Sequence, residues 1–376
     1  MKPRLPTVSA VPVVAWIMLV ALLASWLLTG SATATAATAA DSPAELEARS
    51  RAMQRAQQAV LGVQAVAVDD ARSANTLGKA RSGSGVVIGA DGLVLTIGYL
   101  VLEAEDVALV RDDGRLVPAR VLAYDVATGF GLLQALSPLG LDPVPLGRSA
   151  TLAPQEPLMI ASGGGDGAVS AAQLVSRRAF AGYWEYHIEG ALFTVPPRRD
   201  HSGAGLFNGA GELVGVGSLL VADAAGSAEG AVDGTTDRAT DRAIDNATER
   251  PRRSGNLFVP IDLLTPILAE LRSRGFSEAS RRAWLGMNCA EQDGRVRVVR
   301  VSDDSPADVA GLEAGDRILR IDGTEVRALD QLWKTLWAGG APEREIRLEI
   351  ERDRAVQTLT VYSVDRMKTL KRAAGI

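Results

Sequence analysis

Cysteine is almost absent. The lone Cys289 rules out an internal disulfide and any zinc site built from several thiolates. Histidine is nearly as scarce: His187 and His201 are the two in a chain of 376 residues, which argues against a histidine-based metal centre. We therefore expect no metal and no cofactor. A basic excess is missing as well. Lys and Arg number 40 against 45 Asp and Glu, and no cluster of basic side chains interleaved with aromatics stands out, so no nucleic-acid partner is expected. What is present suits globular domains: 47% hydrophobic and 23% charged residues, in a chain long enough for two or three cores.

The N-terminal residues 1–40 read as a targeting segment. Lys2 and Arg4 precede the apolar run "VPVVAWIMLVALLASWLL", and the small-residue stretch "SATATAATAAD" offers several Ala-x-Ala cleavage sites. The layout is that of a secretory signal peptide. The alternative is an uncleaved anchor, since the run approaches the roughly 18 residues that span a bilayer. Either reading exports the remainder. The expected address is the bacterial cell envelope, either periplasmic or anchored to the inner membrane and facing the periplasm.

Residues 41–79 read as a helical lead-in. "SPAELEARSRAMQRAQQAVLGV" has helical spacing from Ser42 to about Val63, with Ser42 or Asp41 as cap and Glu45 in capping-box position. From Gly83 the pattern changes to short β-type runs, "GVVIG", "LVLTIG", "VALV" and "RLVPARVLAY", broken by turn signals. Asp113-Gly114 marks a hairpin. "PLMIAS", "WEYHIE" and "ELVGVGSLLV" follow, so residues 80–265 predict a mainly β barrel or sandwich. Residues 222–254 are rich in Ala, Asp, Thr and Arg and hold almost no large apolar side chain, which reads as a flexible surface insertion. "NLFVPIDLLTPILAELRSRG" predicts a strand and a helix that Gly275 ends. Residues 282–365 predict a small α+β domain with helices at "PADVAGL" and "LDQLWKTLWAG".

Two resemblances attach to these blocks. With Trp284-Leu-Gly-Met287, "SPADVAGLEAGDRILRIDG" and "LDQLWKTLWAG", residues 282–365 resemble a circularly permuted bacterial PDZ domain. The resemblance implies that the Leu285, Gly286 and Met287 backbone holds a peptide's terminal carboxylate, beside an edge strand that pairs the peptide. Leu332 and Leu336 then flank the groove or belong to the core. Residues 80–275 resemble the trypsin-fold domain of the HtrA/DegP family, through "GSGVVIGADGLVLT", "AYDVATGFGLLQA", "DHSGAGLFNGAGELVGVGS" and "FVPIDLLTPIL". The implied fold is a trypsin-like double β-barrel followed by a small α+β PDZ domain.

That family's chemistry needs a serine, a histidine to take its proton and an aspartate to orient the histidine. Ser202 falls on the nucleophile, in His-Ser-Gly-Ala-Gly where Asn-Ser-Gly-Gly-Pro is usual. The histidine position of the Thr-x-x-His-Val pattern is Tyr99, and the aspartate that follows Thr128 is Gly129. A phenol is mostly protonated at neutral pH and is a weak substitute base. His201 adjoins Ser202, but neighbouring side chains diverge. His187 reads as a barrel histidine satisfied by local hydrogen bonds. The glycine that opens the oxyanion hole, two residues before the serine, is Asp200, an anion where another anion must bind; Arg198 and Arg199 offer partial compensation.

Two functions are consistent with this sequence. The first is a pseudoprotease that binds protein C-termini or unfolded envelope proteins through its PDZ domain. The second is a serine endopeptidase of envelope quality control that uses Ser202 with a non-standard base. The resemblance also implies a homo-oligomer, a trimer by family habit, or association with an active relative.

Overall fold

The lead-in helix stops earlier than its periodicity suggests. In the computed structural model, which describes residues 42–164, 167–226 and 252–371, the helix runs Pro43–Gln58. Pro43 occupies its first turn, where a missing N–H costs nothing. The next residues, expected to continue the helix, instead form β1 (Val60–Ala67), paired on one edge with β2 and on the other with β4. Three β-branched valines in eight residues favour the extended form. The β domain thus begins about twenty residues before the turn-rich blocks that announce it. Residues 1–40 and most of the insertion (227–251) lie outside the described residues. Among the described residues, no helix is long and apolar enough to cross a membrane.

Two closed antiparallel barrels follow in sequence. The first contains β1, β2 (Ala80–Val87), β3 (Leu93–Ile97), β4 (Ala104–Val110), β5 (Leu116–Tyr124) and β6 (Phe130–Ala135), in the order β1-β2-β3-β6-β5-β4. The Asp113-Gly114 signal is honoured: Gly114 takes φ +78° in the β4–β5 turn. The second contains β7 (Pro157–Ala161), β8 (Val169–Gly182), β9 (Tyr186–Val195), β10 (Gly205–Phe207), β11 (Leu213–Val221) and β12 (Gly255–Pro260), in the order β10-β11-β12-β9-β8-β7. Closure removes the exposed strand edges that an open sheet leaves. A short helix, Leu268–Arg274, ends at Gly275 with φ +84°, as its sequence predicts.

The C-terminal strands are β13 (Ala283–Trp284), β14 (Met287–Gln292), β15 (Arg295–Val301), β16 (Arg317–Ile321), β17 (Thr324–Glu325), β18 (Glu345–Arg352), β19 (Ala355–Tyr362) and β20 (Val364–Asp365). Their main sheet runs β14-β15-β16-β18-β19, with β17 on β16 and β13 paired to β20. The helix Pro306–Val309 is capped by Ser305 Oγ, which accepts from the Asp308 N–H, and a second helix spans Leu329–Ala338. Their shared core includes Trp333, Leu332, Leu336 and Ile350, all fully buried. The fold is mostly β, as expected.

Candidate functional site

Ser202 is held in the seam between the two barrels. Its carbonyl accepts the Ser84 N–H at 2.8 Å, and the Gly203 N–H donates to the Gly217 carbonyl at 2.8 Å. Gly203 takes φ +74°, and a Cβ there would lie 2.0 Å from the Ser84 carbonyl oxygen. Only glycine fits that approach. Tyr99 projects from the one-turn helix Gly98–Val101 that follows β3. Its hydroxyl lies 2.7 Å from Ser202 Oγ and 2.8 Å from the Ser218 carbonyl oxygen. One phenolic proton cannot serve both contacts. A carbonyl only accepts, so the phenol donates to Ser218 and the serine hydroxyl donates to the phenol oxygen.

This arrangement places a hydrogen-bond partner, but not a base, beside the serine. Burial pushes the Tyr99 phenol up to about 12, against the lowering effect of the Ser202 contact. At neutral pH roughly one phenol in 10⁵ is ionised. Its oxygen, already protonated, has little appetite for the serine's proton.

Gly129, where the resemblance places an orienting aspartate, has no room for a side chain. Gly129 has φ +82°, and a Cβ built on it would sit 2.8 Å from the Tyr186 hydroxyl. That hydroxyl donates to the Thr128 carbonyl at 2.7 Å. A carboxylate side chain at residue 129 would need both a left-handed backbone and the space that Tyr186 fills. Sequence reasoning passed over a fully buried aspartate nearby, Asp125. Its carboxylate accepts from the Thr128 N–H at 3.0 Å, the Thr128 hydroxyl at 2.6 Å, the Ser277 N–H at 3.0 Å and the Ser280 hydroxyl at 2.6 Å. It ties the β5–β6 turn to the segment leading into the C-terminal domain, and its acceptor sites are taken. The Asp-x-x-Thr spacing is the signal that could have found the local half of this network.

Asp200 is paired rather than bare. Arg198 Nε donates to its Oδ1 at 2.9 Å, and the Arg198 Nη2 and Ser162 hydroxyl both reach Oδ2. Burial would raise its pKa, but the Arg198 and Ser162 contacts outweigh burial and hold it below the usual carboxylate range. Arg198 is itself fixed by fully buried Asn256, which accepts the Arg198 N–H at 2.7 Å and donates to its carbonyl at 2.9 Å. Arg199 is exposed. His201 turns its Nδ1 to the Arg198 carbonyl at 2.9 Å, and burial lowers its pKa. His187 is not satisfied as expected: among the described residues its Nε2 has no hydrogen-bond partner, and it stands 3.9 Å from Glu189. Burial, and then Lys334, lowers its pKa.

Comparison with known proteins follows the same outline. Residues 83–216 match a trypsin-like peptidase domain and residues 283–362 a PDZ domain. The chain is 26% identical over 292 residues to a protein of Ectopseudomonas mendocina named "Probable periplasmic serine endoprotease DegP-like", covering 74% of this chain and 55% of that one. A protein of Marinomonas sp. with the same name is 28% identical over 293 residues, covering 74% and 56%. The chain therefore spans about half the length of the curated relatives it matches. Among solved structures, the HtrA-type protease AlgW with tripeptide superposes with a TM-score of 0.50 at 21% identity, over 85% of this chain and 97% of that one. The chain has the HtrA-family architecture.

The groove of the PDZ domain is not open. The Leu285–Met287 backbone, expected to face a peptide's carboxyl terminus, holds the side chain of Glu185 from the β8–β9 turn. Leu285 N–H donates to Oε2 at 3.1 Å, Gly286 N–H to Oε1 at 2.6 Å and Met287 N–H to Oε1 at 3.1 Å. The preceding residues lie along β14: Cys289 N–H donates to the Tyr183 carbonyl at 2.7 Å, and Trp184 bridges Asn288 in antiparallel sense. Leu332 and Leu336 are fully buried in the PDZ core. The helix residue that meets the inserted turn is Trp333, whose indole N–H donates to the Gly182 carbonyl at 2.8 Å. The sequence placed Leu332 and Leu336 on this helix, but did not show that Trp333 would turn to the barrel.

Proposed function

We propose that this HtrA/DegP-like chain is an exported pseudoprotease, in which the trypsin-like domain is a scaffold and the PDZ domain engages carboxyl termini of envelope proteins. The observation that carries this reading is the Tyr99 hydroxyl at 2.7 Å from Ser202 Oγ, a neutral phenol where a proton acceptor is required. The blocked position at Gly129 supports it. In a Ser-His-Asp triad, loss of the members removes most of the rate advantage and leaves only what binding and the oxyanion hole supply. Asp200 in the oxyanion position weakens that remainder. The names of the relatives, periplasmic endoproteases, support an envelope location.

The test is degradation of unfolded casein by the exported chain, compared with its Ser202→Ala variant. The pseudoprotease reading expects equal, background rates from both. Cleavage that disappears in Ser202→Ala would instead favour an endopeptidase with an unconventional base.

A further inference from the structure

The contacts of Glu185 go beyond an ordinary interdomain bond. Three successive backbone N–H groups converge on one carboxylate, from a loop whose central Gly286 takes φ +83°. Such a nest of amides is built for an anion. The residue two before Glu185 pairs its carbonyl with the residue two beyond Met287, so Tyr183, Trp184 and Glu185 run antiparallel to Met287, Asn288 and Cys289. This is strand addition with a carboxylate at its end, the geometry by which a groove of this kind takes an extended peptide.

The turn is also shaped for that position. While its backbone bridges Asn288, the Trp184 side chain stacks on Tyr186, with ring centroids 5.6 Å apart and planes 8° from parallel. The Gly182 carbonyl meets the Trp333 indole on the opposite wall of the groove. Two of the four backbone carbonyls between Ala181 and Trp184 therefore find partners in the PDZ domain.

We propose that the Tyr183–Glu185 turn is a resident ligand of the PDZ groove, the Glu185 side chain standing in for a peptide's carboxyl terminus, and that a partner with a free C-terminal carboxylate binds by displacing it. The proposal rests on the peptide-binding reading above and adds the competitor that partner must remove. Removal of Glu185 from water is the largest influence on its carboxyl and raises its pKa, while Arg366 and the three N–H groups draw it back down. The resident carboxylate is thus held with an unrecovered desolvation cost.

Two readouts on the exported chain separate this inference from its premise. Hydrogen exchange of the 285–287 amides reports the internal contact directly. Anisotropy of a fluorescein-labelled Phe-Ala-Gly-Tyr-Trp-Ala peptide, carrying the chain's own groove sequence with a free carboxylate in place of Glu185, reports access. In Glu185→Ala, amide exchange should accelerate and peptide affinity rise by about tenfold or more, the scale of a charge-assisted hydrogen-bond set. The C-terminally amidated peptide should bind neither protein. Glu185→Gln, which keeps the size and one acceptor, should fall between. Unchanged exchange at 285–287 in both variants overturns the proposal, as does equal affinity of wild type and Glu185→Ala for the peptide. Faster exchange with no peptide binding to any form upholds the internal ligand and removes the C-terminal partner, and with it the premise.

Discussion

Replacing Tyr99 by Phe removes one oxygen and tests what that oxygen does. In the structure it joins three segments: the turn after β3, the loop that carries Ser202 through its Oγ, and β11 through the Ser218 carbonyl. A hydrogen bond contributes about 0.5–1.5 kcal/mol net, so two contribute about 1–3 kcal/mol. The Ser218 carbonyl would be left without this partner in a protein interior, which places the loss toward the middle of that range, about 2 kcal/mol. For a domain of about 150–250 residues, each kcal/mol moves Tm by about 2–4 °C, so Tyr99→Phe should melt about 4–8 °C lower. The assay is thermal unfolding of the exported chain by circular dichroism, run beside casein turnover. If Tyr99 is a structural tie, Tm falls and turnover stays at background. An unchanged Tm together with loss of a Ser202-dependent turnover would refute this reasoning, because it would make the phenol a working base.

Installing a histidine and an aspartate where the pseudoprotease reading finds them replaced should give no cleavage, for steric reasons. Tyr99→His combined with Gly129→Asp should remain inactive on casein and lose about 2–4 kcal/mol in urea unfolding, since residue 129 has φ +82° and Tyr186 occupies the space of its side chain. Recovered cleavage at undiminished stability would show that the space is available. Tyr99 itself should titrate with a midpoint of about 12, read as the phenolate absorbance lost from the difference spectrum between wild type and Tyr99→Phe. Because its folded-state pKa lies above tyrosine's usual 10, its contribution to stability is complete below pH 10 and is lost as pH rises through about 12. A midpoint at or below 10 would contradict the burial that the account assigns to it.

The parts of this molecule that were legible in the sequence are those written locally. Gly114 and Gly275 announced a turn and a helix end because a left-handed backbone selects glycine at one residue. The blocks around Thr96, Thr128 and Ser202 were recognisable through a family resemblance whose motifs each lie within a dozen positions. The boundary at Val60 was missed because "AVLGV" satisfies a helical and an extended pattern equally, and pairing with β2 and β4 decides between them. Strand β8 went unnoticed for a related reason: "AAQLVSRRAFAG" carries small and charged residues on both faces. Glu185 was least visible of all. Its partners lie a hundred residues further along the chain, and nothing in "GYWEYH" marks a side chain that will sit in another domain's anion nest. Tyr186 filling the place beside Gly129 is equally a product of assembly, since the two come from different barrels.

The central claim is that Ser202 lacks an activating base. Fluorophosphonate labelling of the exported chain at neutral pH tests it most directly, since the reagent reports the nucleophilicity of the serine without requiring a substrate to fit. The account predicts that wild type and Ser202→Ala take up the probe equally, at background. Stoichiometric labelling of wild type that is lost in Ser202→Ala would contradict it.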